Sequence, residues 1–246
     1  MASIKAMLFD FGGTLDVSRH WLDRFVSHYR KLGIELSRDQ LDPAYGHATQ
    51  IAYQSSESMR SRGLRDTVCF LVAHQVEYLE RNGPQAVRER IAVLSDDGHG
   101  RLAERMAAEF AEESMRGMAH SRKVLAELKP RFKLGVVSNF YGNLGRILGE
   151  ARMLELLDVV VDSSRVAIFK PDPRIFSHAL AELKMTADPG SVAMVGDSPP
   201  KDCIPARGLG LATIWLCGPD RPHSGPVHEF ADREIHTLDE LLKLEL

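Results

Sequence analysis

Two textures of hydrophobic spacing divide the chain. In the first, short apolar runs stop abruptly at Gly, Asp, Ser or Asn. They are Ala6-Met7-Leu8-Phe9, Leu134-Gly135-Val136-Val137, Val159-Val160-Val161, Val192-Ala193-Met194-Val195 and Ala212-Thr213-Ile214-Trp215. Runs of this length and β-branched content fit strands buried on both faces, as in a parallel sheet. Helical spacing fills the intervals at roughly 120–129, 142–151, 172–184 and 200–207. A strand-like Glu234-Ile235-His236 and a helix from about Leu238 to Leu244 close the chain. Strand alternating with helix predicts an α/β fold around a doubly wound parallel sheet.

The second texture covers residues 18–117, where strand-like runs are largely absent. Trp21, Leu22, Phe25, Val26 and Tyr29 recur at helical spacing, as do Cys69, Phe70, Val72, Ala73, Val76 and Leu79. Charged and apolar residues alternate at helical period over 101–116. Ser37 before Gln40 has the form of a capping box, and Asn82-Gly83-Pro84 and Gly98-His99-Gly100 are breakers. The expected organisation is a Rossmann-like core at 1–17 and 118–246 with an all-helical domain, 18–117, inserted after the first strand.

Composition excludes several classes. Lys plus Arg total 31 against 34 Asp plus Glu, a net charge of −3, so no basic excess is available for a nucleic acid backbone. The N-terminal MASIKAMLFDF reaches Asp10 without a long apolar stretch, and no eighteen apolar residues run together; neither a signal peptide nor a membrane span is expected. Cys69, Cys203 and Cys217 are odd in number, widely spaced and form no C-x-x-C pair. A zinc motif or disulfide framework therefore has no support in spacing, and reduced thiols suit a cytoplasmic protein. The histidines likewise show no metal-ligand spacing.

In an open α/β sheet, ligands bind beyond the carboxyl ends of the strands. The first run ends at Asp10-Phe11-Gly12-Gly13-Thr14, the second at Ser138-Asn139, and the fourth at Gly196-Asp197-Ser198. Between the third and fourth lies Phe169-Lys170-Pro171-Asp172-Pro173. Each has an ordinary reading alone: Asp10 and Asp197 as turn formers, Ser138 and Asn139 as capping groups, Lys170 as a solvated loop residue. Their joint occurrence at successive strand ends suits a divalent cation plus a phosphoryl group, with carboxylates for Mg²⁺ and Lys and Ser for phosphate oxygens.

That order resembles the haloacid dehalogenase superfamily of hydrolases. The matching pieces are Phe9-Asp10-Phe11-Gly12-Gly13-Thr14-Leu15, Val137-Ser138-Asn139, Lys170-Pro171-Asp172-Pro173-Arg174-Ile175-Phe176 and Gly196-Asp197-Ser198-Pro199-Pro200-Lys201-Asp202. The helical insert sits where that family carries a C1-type cap. The resemblance implies hydrolysis of a small phosphorylated metabolite, with Asp10 forming an aspartyl-phosphate. It implies that Ser138, Asn139 and Lys170 hold the phosphoryl group, and that Mg²⁺ is bound by Asp10, the Gly12 carbonyl and Asp197. The resemblance also implies that Asp202 and Thr14 support the site.

One departure stands out. Most phosphatases of the family place a second Asp two residues after the nucleophile as general acid and base; here that position is Gly12. Three accounts are open: a leaving group that needs no proton, such as an acyl phosphate; a substitute such as Asp16 or His20; or a binding or regulatory domain with little turnover. Dehalogenases and phosphonatases also lack the second Asp. A phosphonatase needs a Schiff-base lysine, and the insert offers only Lys31, with no pattern that buries it. A metal-independent dehalogenase fits Gly196-Asp197-Ser198 less well, because that motif resembles the metal-binding form. Ala167 also stands where relatives often have Gly, a change expected to affect a loop.

Overall fold

The computed structural model describes residues 3–94, 99–218 and 227–245. Asp96-Asp97-Gly98, whose sequence reads as a turn, and most of 219–228, whose sequence reads as an irregular loop, lie outside the described residues. The chain divides into two compact units, Met1–Arg19 with Met115–Leu246, and His20–Ser114.

The first unit contains the sheet. Its strands are β1 (Ala6–Phe9), β2 (Lys133–Ser138), β3 (Val159–Asp162), β4 (Val192–Gly196), β5 (Ala212–Leu216) and β6 (Arg233–Ile235). Among the described residues they form one sheet in the order β3-β2-β1-β4-β5-β6, parallel at every pairing. All four side chains of β1 are buried, which is why its sequence is apolar without alternation. Close packing explains Gly135 in β2: a Cβ there would fall 2.4 Å from Val159 Cγ1 and 2.8 Å from Leu8 Cδ2. Ile175, Phe176, Ala179, Leu180 and Leu183 of α9 (Arg174–Leu183) join Leu8, Val137, Val161 and Met194 in a core on one face of the sheet.

Chain order reverses direction at β1, since β2 and β3 lie to one side and β4, β5 and β6 to the other. In open α/β sheets such a reversal marks the crevice, beyond the carboxyl end of the strand, where ligands bind.

The second unit is helical. It holds α1 (Trp21–Lys31), α2 (Arg38–Gln54), α3 (Ser56–Met59), α4 (Leu64–Asn82), α5 (Gln85–Leu94) and the first part of α6 (His99–Leu128). The capping box at Ser37 and Gln40 is present at the start of α2. Trp21, Phe25 and Phe110 stack in the core. Arg24 is buried beside them, its guanidinium 3.6 Å from the Phe110 ring centroid. It donates to Glu113 Oε2 at 3.3 Å, Ser114 Oγ at 2.8 Å and the Phe110 carbonyl at 3.1 Å.

Helix boundaries differ from expectation in three places. The patterns at 101–116 and 120–129 are one continuous helix, α6, with His99-Gly100 at its start and Gly117 in its interior. Gly117 breaks nothing because it serves a close approach: a Cβ there would fall 1.6 Å from the Asp16 carbonyl oxygen. The segment expected as a helix at 200–207 begins as a wide turn, Pro199–Cys203, before α10 (Ile204–Gly208). The closing helix is a 3₁₀ segment, Leu238–Lys243. Between β2 and β3 lies α7 (Leu144–Glu150), and after β3 comes α8 (Ser163–Val166).

Candidate active site

Asp10 follows β1 directly, and its backbone N–H donates to the Val195 carbonyl of β4 at 2.9 Å. Its carboxylate is buried at the crevice. Oδ1 accepts from Ser138 Oγ at 3.0 Å and Lys170 Nζ at 2.5 Å. Among the described residues, Oδ2 accepts from the Thr14 hydroxyl, at 3.5 Å. Two donors engage Oδ1, one of them charged, and Oδ2 is the less engaged oxygen.

Lys170 is almost completely buried, and its ammonium also donates to Asp202 Oδ1 at 2.5 Å. Burial works against the charged form of Lys170, but the carboxylates of Asp10 and Asp202 outweigh it and the pKa is raised. Burial pushes the Asp202 carboxyl up, and Lys170 opposes that push. Asp202 also accepts the Ser198 backbone N–H at 3.0 Å on Oδ2. With one oxygen on an ammonium and the other on a peptide, Asp202 is placed as the counter-ion of Lys170. Gly196 makes room for it, because a Cβ there would meet Asp202 Oδ2 at 2.4 Å.

Asp197 follows β4 and lies against the backbone of Gly13. The carbonyl of Asp197 accepts the indole N–H of Trp215 at 3.0 Å. Oxygens of Asp10, Asp197 and Asp202 lie within 4.8 Å of one another. Three carboxylates against one ammonium leave negative charge in excess, and all the donor atoms are hard oxygens. That donor set fits a small divalent cation such as Mg²⁺.

Asn139 is tied to the backbone of Lys170. Its Nδ2 donates to the Lys170 carbonyl at 2.9 Å, and its Oδ1 accepts the Lys170 N–H at 2.7 Å. This brace positions the lysine and was not foreseen from sequence; the order Ser138-Asn139 gives no hint of which peptide the amide would find. A second unforeseen support is Asp162 at the end of β3. It accepts the N–H groups of Gly142, Leu144 and Ser164 at 2.9–3.1 Å, and so shapes the loop that follows Ser138.

The two possible substitutes for the missing acid both have structural work. Asp16 Oδ1 accepts the backbone N–H groups of Gly13 at 2.8 Å and Val17 at 2.7 Å, so it caps the loop that follows Asp10. His20 is the N-cap of α1, its Nδ1 accepting from Leu22 at 3.2 Å. Lys31 is exposed, 3.8 Å from Glu109, and so does not sit in the desolvated pocket that Schiff-base chemistry uses. Ala167 is the C-cap of α8 in a left-handed conformation, φ 54°, where glycine is the unstrained choice.

A family model for haloacid dehalogenase-like hydrolases matches residues 4–210. The chain belongs to this hydrolase family. Among relatives of these hydrolases, haloacid dehalogenase-like hydrolase domain-containing protein 3 of Bos taurus is 30% identical over 98% of this chain and 95% of its own length. Phosphoserine phosphatase of Thermus thermophilus is 29% identical over 81% of this chain and 80% of its own. The fold is also similar to that of the magnesium-bound HAD-hydrolase YfnB of Bacillus subtilis, with a TM-score of 0.60 at 20% identity over 98% of both chains. Among the described residues, no helix is long and apolar enough to cross a membrane.

Proposed function

We propose that this hydrolase cleaves small phosphorylated metabolites whose leaving group departs without a proton, acyl phosphates above all. The observation that carries the reading is the pairing of an armed Asp10 with Gly12 at the general-acid position. Asp10 Oδ2 attacks phosphorus, the P–O bond to the leaving group breaks, and a carboxylate leaves with the electron pair. Ser138 and Lys170 donate to the transferring oxygens, while Asn139 and Asp202 hold Lys170 in position. Water then attacks phosphorus, the Asp10–phosphorus bond breaks, and the water proton leaves with the product phosphate. Asp10, Asp197 and the Gly12 carbonyl are the residues to hold Mg²⁺, whose charge offsets that of the phosphoryl group. The phosphatase among the relatives supports phosphoryl chemistry. The capping roles of Asp16 and His20 support the absence of a general acid.

Phosphate release from an acyl phosphate and an aryl phosphate, with Mg²⁺ or EDTA, tests this. The expected result is turnover of the acyl phosphate alone, lost with EDTA and with Asp10→Asn. Turnover that survives both treatments would overturn the reading and favour metal-independent chemistry. Silence on both substrates, with aryl phosphatase activity gained by Gly12→Asp, would instead mark a binding domain with an intact cleft.

A further inference from the structure

A second cluster of ligand-type side chains lies at the outer end of the sheet. Cys217 follows β5, and Glu234 and His236 belong to β6 and its end. One ligand atom from each, the thiol sulfur, a carboxylate oxygen and an imidazole nitrogen, lies within 4.8 Å of the others. Strand register explains the grouping. Trp215 pairs with Glu234 and Leu216 with Ile235 in parallel, and the Cys217 N–H continues the ladder to the Ile235 carbonyl at 2.8 Å. Cys217 and His236 are therefore opposite one another. Glu234 is two residues from His236, so all three side chains fall on one face.

We propose that Cys217, Glu234 and His236 form a binding site for a zinc-type transition metal ion, separate from the Asp10 cluster and clasping the edge strand to β5. The donor sets sort the two sites. The Asp10 cluster offers carboxylate oxygens, which suit Mg²⁺, whereas sulfur, nitrogen and oxygen together select a softer ion such as Zn²⁺. In a tetrahedral zinc site with bonds of about 2.0–2.3 Å, adjacent ligand atoms are roughly 3.3–3.8 Å apart. Ligand atoms within 4.8 Å of one another lie roughly 1.0–1.5 Å or less beyond that spacing. Three protein ligands leave a fourth position for water. β6 is three residues long and ends the sheet, so an ion shared with Cys217 adds a cross-link to the ladder that pairs this edge with β5.

The test uses the full chain with Mg²⁺ in excess, titrated with Zn²⁺ and with Co²⁺. The expected result is a tightly held Zn²⁺ that raises the melting temperature, and a thiolate-to-cobalt charge-transfer band for Co²⁺. Cys217→Ser removes the band, and His236→Gln weakens Zn²⁺ binding by at least about 100-fold, beyond the effect of losing an outer-sphere partner. Cys69→Ser and Asp10→Asn keep both signals, which separates this site from the crevice. A Co²⁺ spectrum without a thiolate band, a band that persists in Cys217→Ser, or Zn²⁺ affinity unchanged in His236→Gln would each overturn the proposal. His236 is exposed, so that variant carries the test if Cys217→Ser fails to fold.

Discussion

Replacing Gly13 with alanine tests the metal assignment without altering any carboxylate. Gly13 has φ +92°, and a side chain in left-handed backbone costs about 1–2 kcal/mol. For a chain of this size that corresponds to a melting temperature lower by about 2–8 °C. The new methyl would also fall 2.6 Å from Asp197 Oδ2 and 2.8 Å from its Cγ. Relief to an ordinary carbon contact near 3.5 Å takes a retreat of roughly 0.8 Å by the carboxylate. Mg²⁺ demands bonds of about 2.0–2.1 Å, and metal sites tolerate errors near 0.2 Å. Mg²⁺ affinity should therefore fall by about tenfold or more, or ~1.4 kcal/mol. Calorimetric Mg²⁺ titration alongside thermal unfolding separates the two effects. Gly46→Ala is the control, because a Cβ there meets nothing within 4 Å. A folded Gly13→Ala protein with parental Mg²⁺ affinity would refute the role given to Asp197.

Further outcomes follow from other contacts. Gly12→Asp should raise aryl phosphate turnover by about 10²–10⁴-fold, read as phosphate release; no gain would mean that the acid position is not what limits the reaction. With no base at Gly12, acyl phosphate turnover should begin with a burst and leave acid-trappable phosphoenzyme, and a linear start with none trapped would contradict the two-step scheme. The hydrogen bond from His28 holds Glu113 down at about 2, against burial and with help from the Arg24 guanidinium. A depressed carboxylate pKa stabilises the fold above the unfolded value near 4.5 and loses that contribution as pH falls toward 2. Since the Glu113 side chain is 35% exposed, Glu113→Gln should cost about 1 kcal/mol at pH 7 after solvent screening. In urea unfolding the gap to the parent should close below pH 4.5; a gap independent of pH would exclude the charge as its source. Ala167→Gly should stabilise by up to about 1 kcal/mol, because it relieves the left-handed alanine; a lower urea midpoint would oppose that.

Two-sided burial made the strands legible in sequence. A strand covered on both faces has no polar register to interrupt it, so Ala6–Phe9 and Val192–Gly196 read directly as apolar runs. The polar residue after each run was legible for the complementary reason, since the chain must leave the sheet there. The positions of Asp10, Ser138, Lys170 and Asp197 thus followed from local pattern, and the family resemblance attached roles to them.

Which strands are neighbours is a long-range decision, and no local spacing encodes it. Only the order β3-β2-β1-β4-β5-β6 brings Ser138 and Lys170 onto one oxygen of Asp10, 128 and 160 residues away in sequence. The same holds for the brace from Asn139 and for Gly196 yielding space to Asp202. It holds most plainly for Cys217, Glu234 and His236, whose sequence spacing matches no metal motif. Parallel pairing of β5 with β6 places them on one face, so the grouping exists in the sheet and nowhere in the linear chain. Gly117 shows the converse: no local pattern gives it a role, and close approach by the Asp16 carbonyl gives the glycine its purpose inside an unbroken helix. Local physics determined where the chain is strand, helix or turn. The packing of distant segments decided which of those ends meet, and therefore what chemistry they can do.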